Sequence, residues 1–204
     1  MLDKKKNYKI KKILLAAGES KRFGNKNKLL EIINGKPMIN HILDTLFEIF
    51  APEELIMIVG HERILIKNLI FNKNIKILEN LDYKRGIGTS ISLGVKHLET
   101  DIDGVMVIPA DMPYINSKDL INLEQKFIEL NCEKVVMPEH NSRIGNPVVL
   151  PRVYFNLLKN LKDDFGARSL IRKKDIITLK TGFGTIFDID TKNELAETKK
   201  PIIN

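Results

Sequence analysis

The chain has no tryptophan and a single cysteine, Cys132. One thiol excludes an intrachain disulfide and a zinc site built from cysteines, so a reducing, cytoplasmic setting is expected. Aromatic residues are only 6% of the 204, too few to build the stacking platforms of single-stranded nucleic-acid binders. No apolar run reaches the roughly 20 residues that a membrane-spanning helix needs. The basic start (Lys4, Lys5, Lys6, Lys9, Lys11, Lys12) leads into only five apolar residues, 13–17, before Gly18, Glu19 and Ser20. That stretch is too short for a secretory signal. With 12 glycines and 8 prolines, the composition is neither collagen-like nor of low complexity. The expected partners include no nucleic acid and no membrane.

What is present is a globular composition. Hydrophobic residues are 43% and charged residues 29%, enough apolar surface for one domain spanning 1–204 to bury a sizeable core. The net charge of +7 fits either a polyanionic partner or a solvated lysine surface. Lysines alternate with acids and form no long basic block, so the second reading holds for the chain as a whole and charge matters where it is local.

Apolar spacing predicts strands at 9–16, 55–59, 75–78, 104–108, 134–137, 176–179 and 186–189. Helices are expected at 37–50, 62–70, 90–98, 117–130, 153–161, 167–172 and 191–198. Pro37 suits the first turn of its helix, and Ser117 is expected to cap the helix it opens. The alternation implies an α/β fold with a mostly parallel sheet and helices on both faces. Ligands of such sheets bind beyond the carboxyl ends of the strands.

Three of those loops carry chemistry. The first runs Leu15-Ala16-Ala17-Gly18-Glu19-Ser20-Lys21-Arg22-Phe23-Gly24, with Lys28 beyond it. Its small residues let a base and a phosphate approach the main chain, successive N–H groups can form an anion nest, and Arg22 and Lys28 supply positive charge. Neither a G-x-G-x-x-G nor a Walker sequence is present. The second is Pro109-Ala110-Asp111-Met112-Pro113, after the very apolar 105–108. A carboxylate at a strand exit between two prolines is a hard oxygen ligand suited to Mg²⁺. Near the C-terminus, Asp188-Ile189-Asp190-Thr191 puts two carboxylates on one face of an extended segment, so either could share a metal with Asp111, while Asp190 could instead cap the last helix. The third loop, residues 80–90, holds Gly86, Gly88, Thr89 and Ser90 at the start of a helix, which reads either as a site for an anion or a ribose or as a flexible turn before a capped helix. His41, His61, His97 and His140 are scattered without ligand spacing and read as structural.

Taken together, these blocks resemble the nucleotidyltransferases with the MobA-like fold. The first loop resembles their L-A-A-G-x-S-x-R-x-G signature, Lys28-Leu29-Leu30 the following K-x-L, Ala110-Asp111-Met112-Pro113 the metal-binding D-M-P, and Asp188-Ile189-Asp190-Thr191 the D-I-D-T before the last helix. Tyr83-x-x-Gly86-x-x-x-Ser90-x-x-x-Gly94, Gly145-x-Pro147 and Asp164-x-Gly166-Ala167-Arg168 bring the pattern nearest to the molybdenum cofactor cytidylyltransferase group. Asn146 stands where that group often has His, and Asp163 where it often has Gly.

The resemblance implies a Rossmann-like, GT-A-like nucleotidyltransferase fold. It also implies transfer of CMP from CTP to the phosphate of molybdopterin (the molybdenum cofactor), with pyrophosphate released and a molybdoenzyme or its accessory protein as a further partner. Arg22, Lys28 and Asp111 would be catalytic. Leu15, Ala16, Ala17, Gly18, Ser20, Gly24, Gly86 and Ser90 would join them around the nucleotide. Gly145, Asn146, Pro147, Asp164 and Arg168 would hold the acceptor, and Asp111 with Asp190 or Asp188 would hold Mg²⁺. Alternatives are a guanylyl- or sugar-phosphate nucleotidyltransferase of the same fold and a non-catalytic molybdopterin-binding protein. Ala17, where guanine users usually carry Gly, speaks for CTP.

Overall fold

A computed structural model describes residues 7–24, 26–70 and 74–198. The first of the basic residues, Lys4 to Lys6, lie outside the described residues. Strand β1 (Ile10–Ala16) is followed by a small hairpin of β2 (Ile32–Ile33) and β3 (Lys36–Pro37), then α1 (Met38–Ile49), β4 (Leu55–Val59), α2 (Arg63–Asn68) and β5 (Lys76–Glu79). Next come α3 (Ile87–Lys96), β6 (Gly104–Pro109), α4 (Ser117–Glu129), β7 (Val135–His140), β8 (Arg143–Ile144) and β9 (Val148–Pro151). The chain closes with α5 (Phe155–Leu158), β10 (Ile176–Lys180) and α6 (Lys192–Thr198).

The main sheet has the order β10-β7-β9-β6-β1-β4-β5, with β8 appended to β7. Strand β1 lies at its centre, parallel to β4 and β6, with Leu14 level with Met57 on one side and Ile108 on the other. Strand β9 alone in the main order runs antiparallel to both neighbours, β6 and β7. This is the α/β architecture expected, a mostly parallel sheet covered by helices.

The two-residue period of β1 feeds two cores. Ile10, Leu14 and Ala16 pack with Leu46 of α1 and with Leu120 and Phe127 of α4, whereas Ile13 and Ala17 pack with Val95 of α3 and Leu158 of α5. Helix α1 earns its place through Ile39, Ile42, Leu43 and Leu46, all buried at helical spacing. Strand β6 is apolar on both faces because both are covered.

The most deeply buried charged side chain among the described residues is a lysine. Lys12 has no exposed surface, and its Nζ donates to Glu54 at 2.7 Å, Glu124 at 2.8 Å and the Ile10 carbonyl at 3.1 Å. The ammonium also lies 3.9 Å from the centre of the Phe50 ring. Burial pushes the Glu124 carboxyl above its ordinary range, against the pull of Lys12. Every donor of the lysine has a partner, which is the condition for a charge to survive in a core.

Several expectations are corrected. Residues 186–189 form no ladder strand: the segment begins as the end of a 3-10 turn, Phe183–Ile186. The cap of α4 is Asn116, whose side chain accepts from the Asp119 amide at 2.8 Å, and Ser117 is the first helical residue. Helix α3 starts three residues earlier than the spacing suggests, and 153–161 and 167–172 contain only short α or 3-10 turns. Strand β9 was not foreseen. Because it is antiparallel, its first residue lies at the carboxyl end of β6 (Val107 level with Val148), so the Gly145-Asn146-Pro147 loop reaches the same end of the sheet as Asp111.

Among the described residues, no helix is long and apolar enough to cross a membrane.

Candidate active site

At the carboxyl ends of β1 and β6 a cavity of about 400 Å³ opens between the loop after β1 and the turn before α3. Of the residues expected around nucleotide, metal and acceptor, Leu15, Ala17, Gly18, Ser20, Arg22, Lys28, Gly86, Ser90, Asp111, Asp164 and Asp190 line it. Glu19, Lys21, Tyr83, Lys84 and Ile87 also line it and were not singled out. All five sit inside or beside the quoted loops, so the loops were visible but not which side chains face inward. Ala16 and Gly24 do not line it; Ala16 is 1% exposed and packs into the core.

The first loop is fastened at both ends. Ser20 adopts a left-handed backbone (φ 55°), its carbonyl accepts from the Phe23 amide at 2.8 Å, and the Phe23 ring is buried. The Ser20 hydroxyl accepts from the Lys28 amide at 3.2 Å, and Asn27 caps the next turn by accepting from the Leu29 amide at 3.1 Å. Ala17 is pressed against the end of β4: a Cβ built on Gly60 would lie 2.9 Å from the Ala17 methyl and 2.7 Å from Tyr83 Cβ.

This loop delivers Lys28 to the second. Its ammonium donates to Asp111 Oδ2 and Asp190 Oδ1, each at 2.6 Å, and Arg22 donates to the other oxygen of Asp190. Burial alone would weaken the Lys28 ammonium, but Asp111 and Asp190 outweigh it and hold its pKa above the ordinary lysine range. Asp188 completes a cluster in which one oxygen from each of Asp111, Asp188 and Asp190 lies within 4.8 Å of the others. Burial, and after it the Asp111 charge, raises the Asp188 carboxyl. The alternation expected of 188–190 is real although no ladder forms. Ile189 turns into the core with no exposed surface, its amide donates to the Asp111 carbonyl at 3.0 Å, and its two neighbours face the cluster. Asp190 does not cap α6; Thr191 does, in a reciprocal pair with Glu194.

Three carboxylates against two cations leave the cluster short of positive charge. Asp111 Oδ1 is buried and has no hydrogen-bond partner among the described residues. A set of carboxylate oxygens with one left over suits a hard divalent cation. The residues present fit such an ion.

The third loop and the acceptor segment meet at Gly86. Its φ is 120°, and a Cβ there would lie 2.3 Å from Asp164 Oδ1 and 2.4 Å from the Asp163 carbonyl carbon. The Gly88 amide donates to the Asp163 carbonyl at 2.9 Å. Asn80, buried beneath, donates to Thr89 and Ser90, both at 2.8 Å. Asp164 thereby reaches the cavity, whereas Gly145, Asn146, Pro147 and Arg168 stand outside its lining. The Arg168 guanidinium is spent on the loop itself: it donates to the carbonyls of Gly145 and Ile144 and to Asn146 Oδ1 at 3.2 Å. Burial lowers its pKa and Asp188 opposes that. Here Arg168 positions the 144–146 loop through neutral oxygens, which engage its donors without cancelling its charge.

The MobA-like NTP transferase domain family matches residues 12–177. The chain belongs to the MobA-like NTP transferase family. Within it, similarity to curated proteins is distant. The bifunctional protein GlmU of Francisella philomiragia is 26% identical over 165 residues, covering 80% of this chain and 33% of that one. The chain spans about a quarter to a third of the length of the curated relatives it matches. Solved structures share the fold. Rv0371c from Mycobacterium tuberculosis superposes with a TM-score of 0.79 at 18% identity, covering 95% of this chain and 98% of that one. Its complex with manganese gives 0.76 at 17%, covering 93% and 97%. Molybdopterin-guanine dinucleotide biosynthesis protein A from Archaeoglobus fulgidus gives 0.62 at 17%, covering 92% and 96%.

Proposed function

We propose that this MobA-like transferase moves CMP from CTP to the phosphate of molybdopterin and releases pyrophosphate. The observation that carries the reading is the Asp111–Asp188–Asp190 cluster with Lys28 and Arg22 bonded into it at the cavity wall. The manganese complex of Rv0371c and the likeness to the Archaeoglobus protein support a divalent metal and a molybdopterin acceptor. An oxygen of the acceptor phosphate attacks the α-phosphorus, and the bond to the bridging oxygen breaks and leaves with pyrophosphate. A phosphate monoester is already an anion near neutral pH, so the attack needs no general base, and catalysis reduces to positioning and charge. Asp111, Asp188 and Asp190 would hold a Mg²⁺ or Mn²⁺, which would supply charge neutralisation at the phosphates. Lys28 and Arg22 stand where they can turn from the carboxylates onto the triphosphate and steady the departing charge. Ala17 narrows the cavity wall and favours cytosine over a purine.

The test is incubation with each nucleoside triphosphate, Mg²⁺ and either molybdopterin or glucosamine 1-phosphate, following pyrophosphate. Release with CTP and molybdopterin supports the reading. Release with the sugar phosphate alone, or equal use of GTP, overturns it.

A further inference from the structure

A group of rings outside the lining of the cavity has no part in the mechanism above. In a chain with nine Phe, four Tyr and no Trp, Phe183 and Phe187 lie with ring centroids 4.8 Å apart and planes at 33°. His140 meets Phe183 edge-on at 6.2 Å, and Tyr114 lies 5.9 Å from Phe187. Phe183 is 51% exposed. An exposed ring forgoes the roughly 1.5–3 kcal/mol that full burial of such a side chain brings.

The ring is exposed, yet its backbone is held. Thr185 is fully buried, its carbonyl accepts from the Asn146 amide at 2.7 Å, and its hydroxyl donates to the Gly182 carbonyl at 2.9 Å. A Cβ on Gly184 would fall 1.9 Å from the Tyr114 carbonyl oxygen, and one on Gly145 would fall 1.9 Å from the Thr185 carbonyl oxygen. The turn is thus packed closely against the backbone on both sides. Phe187 directly precedes Asp188 of the carboxylate cluster, and Asn146 joins the turn to the loop that Arg168 holds. Phe187 packs against the core and holds Phe183 half-open, five residues before a cluster suited to a phosphate-bound cation, so the exposed ring is pre-organised for a flat ring that carries that phosphate.

We propose that Phe183, stacked on Phe187 and flanked by His140 and Tyr114, is the platform for the fused heterocyclic ring of the acceptor. The inference rests on the nucleotidyl transfer proposed above and names the part of the site that selects the acceptor.

The test uses neopterin monophosphate, a stable fluorescent pterin that bears a phosphate monoester, as a probe in the presence of Mg²⁺. The chain has no Trp, so the pterin signal is read without overlap. Wild type should quench the probe, Phe183→Ala should raise its Kd about tenfold or more, and Phe183→Tyr should restore it. The CTP affinity of both variants should stay within twofold of wild type, with unchanged thermal unfolding. Equal probe binding by wild type and Phe183→Ala overturns the platform and leaves the transfer reading standing. Phe183-dependent binding of pyridoxal 5′-phosphate but not of the pterin keeps the platform and removes molybdopterin as acceptor. Binding of neither flat-ring phosphate overturns the platform. A change from dimer to monomer in Phe183→Ala with probe binding unaltered assigns the face to a second copy and also overturns it.

Discussion

Two lysines, each between two carboxylates, sit at opposite ends of the sheet's central region, and they differ in what is left over. Lys12, at the amino end, is sealed among Glu54, Glu124, the Ile10 carbonyl and the Phe50 ring, with every donor of its ammonium taken. Lys28, at the carboxyl end, bonds Asp111 and Asp190, while Asp188 stands by and Asp111 Oδ1 stays unpartnered among the described residues. The closed end is complete and can only be disturbed. The open end has spare oxygen ligands and a cation that a ligand can displace. Incomplete satisfaction, more than burial or the presence of an ion pair, separates the candidate catalytic lysine from the structural one.

The strongest challenge to that contrast is Asp111→Ala. At an end with surplus negative charge the fold should survive, while pyrophosphate release with CTP should drop about a thousandfold, the effect of losing several kcal/mol of charge neutralisation. Wild-type turnover in the folded variant would erase the distinction between the ends.

Next comes the exchange of each lysine for methionine. Lys12→Met strands two carboxylates, one of them half-buried, and should cost about 3–5 kcal/mol in urea unfolding. Lys28→Met should also lose stability, but millimolar Mg²⁺ should raise its melting temperature by several degrees, since a divalent ion can stand where the ammonium stood. Mg²⁺ should leave Lys12→Met unchanged. Equal rescue of the two, or of neither, contradicts the comparison.

The smallest effect concerns the base. If the open end is shaped for cytosine by the Ala17 methyl, CTP should exceed GTP in kcat/KM, and Ala17→Gly should narrow the ratio by roughly tenfold, since one methyl discriminates by about 1–3 kcal/mol.

The features legible in the sequence were those set by local pattern. Asp111 could be read as a carboxylate at the exit of an apolar strand, and Asp188 and Asp190 as a pair on one face, because alternation holds in any extended segment, laddered or not. Strand β9 escaped because a four-residue apolar run ending in Pro151 carries no direction, and its antiparallel course is decided by neighbours far along the chain. Lys12 was indistinguishable from Lys9 and Lys11, since its carboxylate partners lie 42 and 112 residues away. Arg168 was expected to be a cation for the acceptor. Its engagement with the Gly145 carbonyl depends on a fold in which two distant loops meet.

The antiparallel β9 also bears on how the protein is made. On a ribosome, β1, β4, β5 and β6 emerge first and can assemble side by side, but the outer edge of β6 stays unpaired until Val148 appears. The 39 residues added after Pro109, up to Val148, take roughly 2–8 s to synthesise at about 5–20 residues per second. During that interval Val105, Val107 and their backbone groups form a bare apolar edge, the kind of template on which nascent chains stick to one another. A chaperone that shields this edge, or slower growth at lower temperature, should therefore govern soluble yield more than any substitution at the carboxylate cluster.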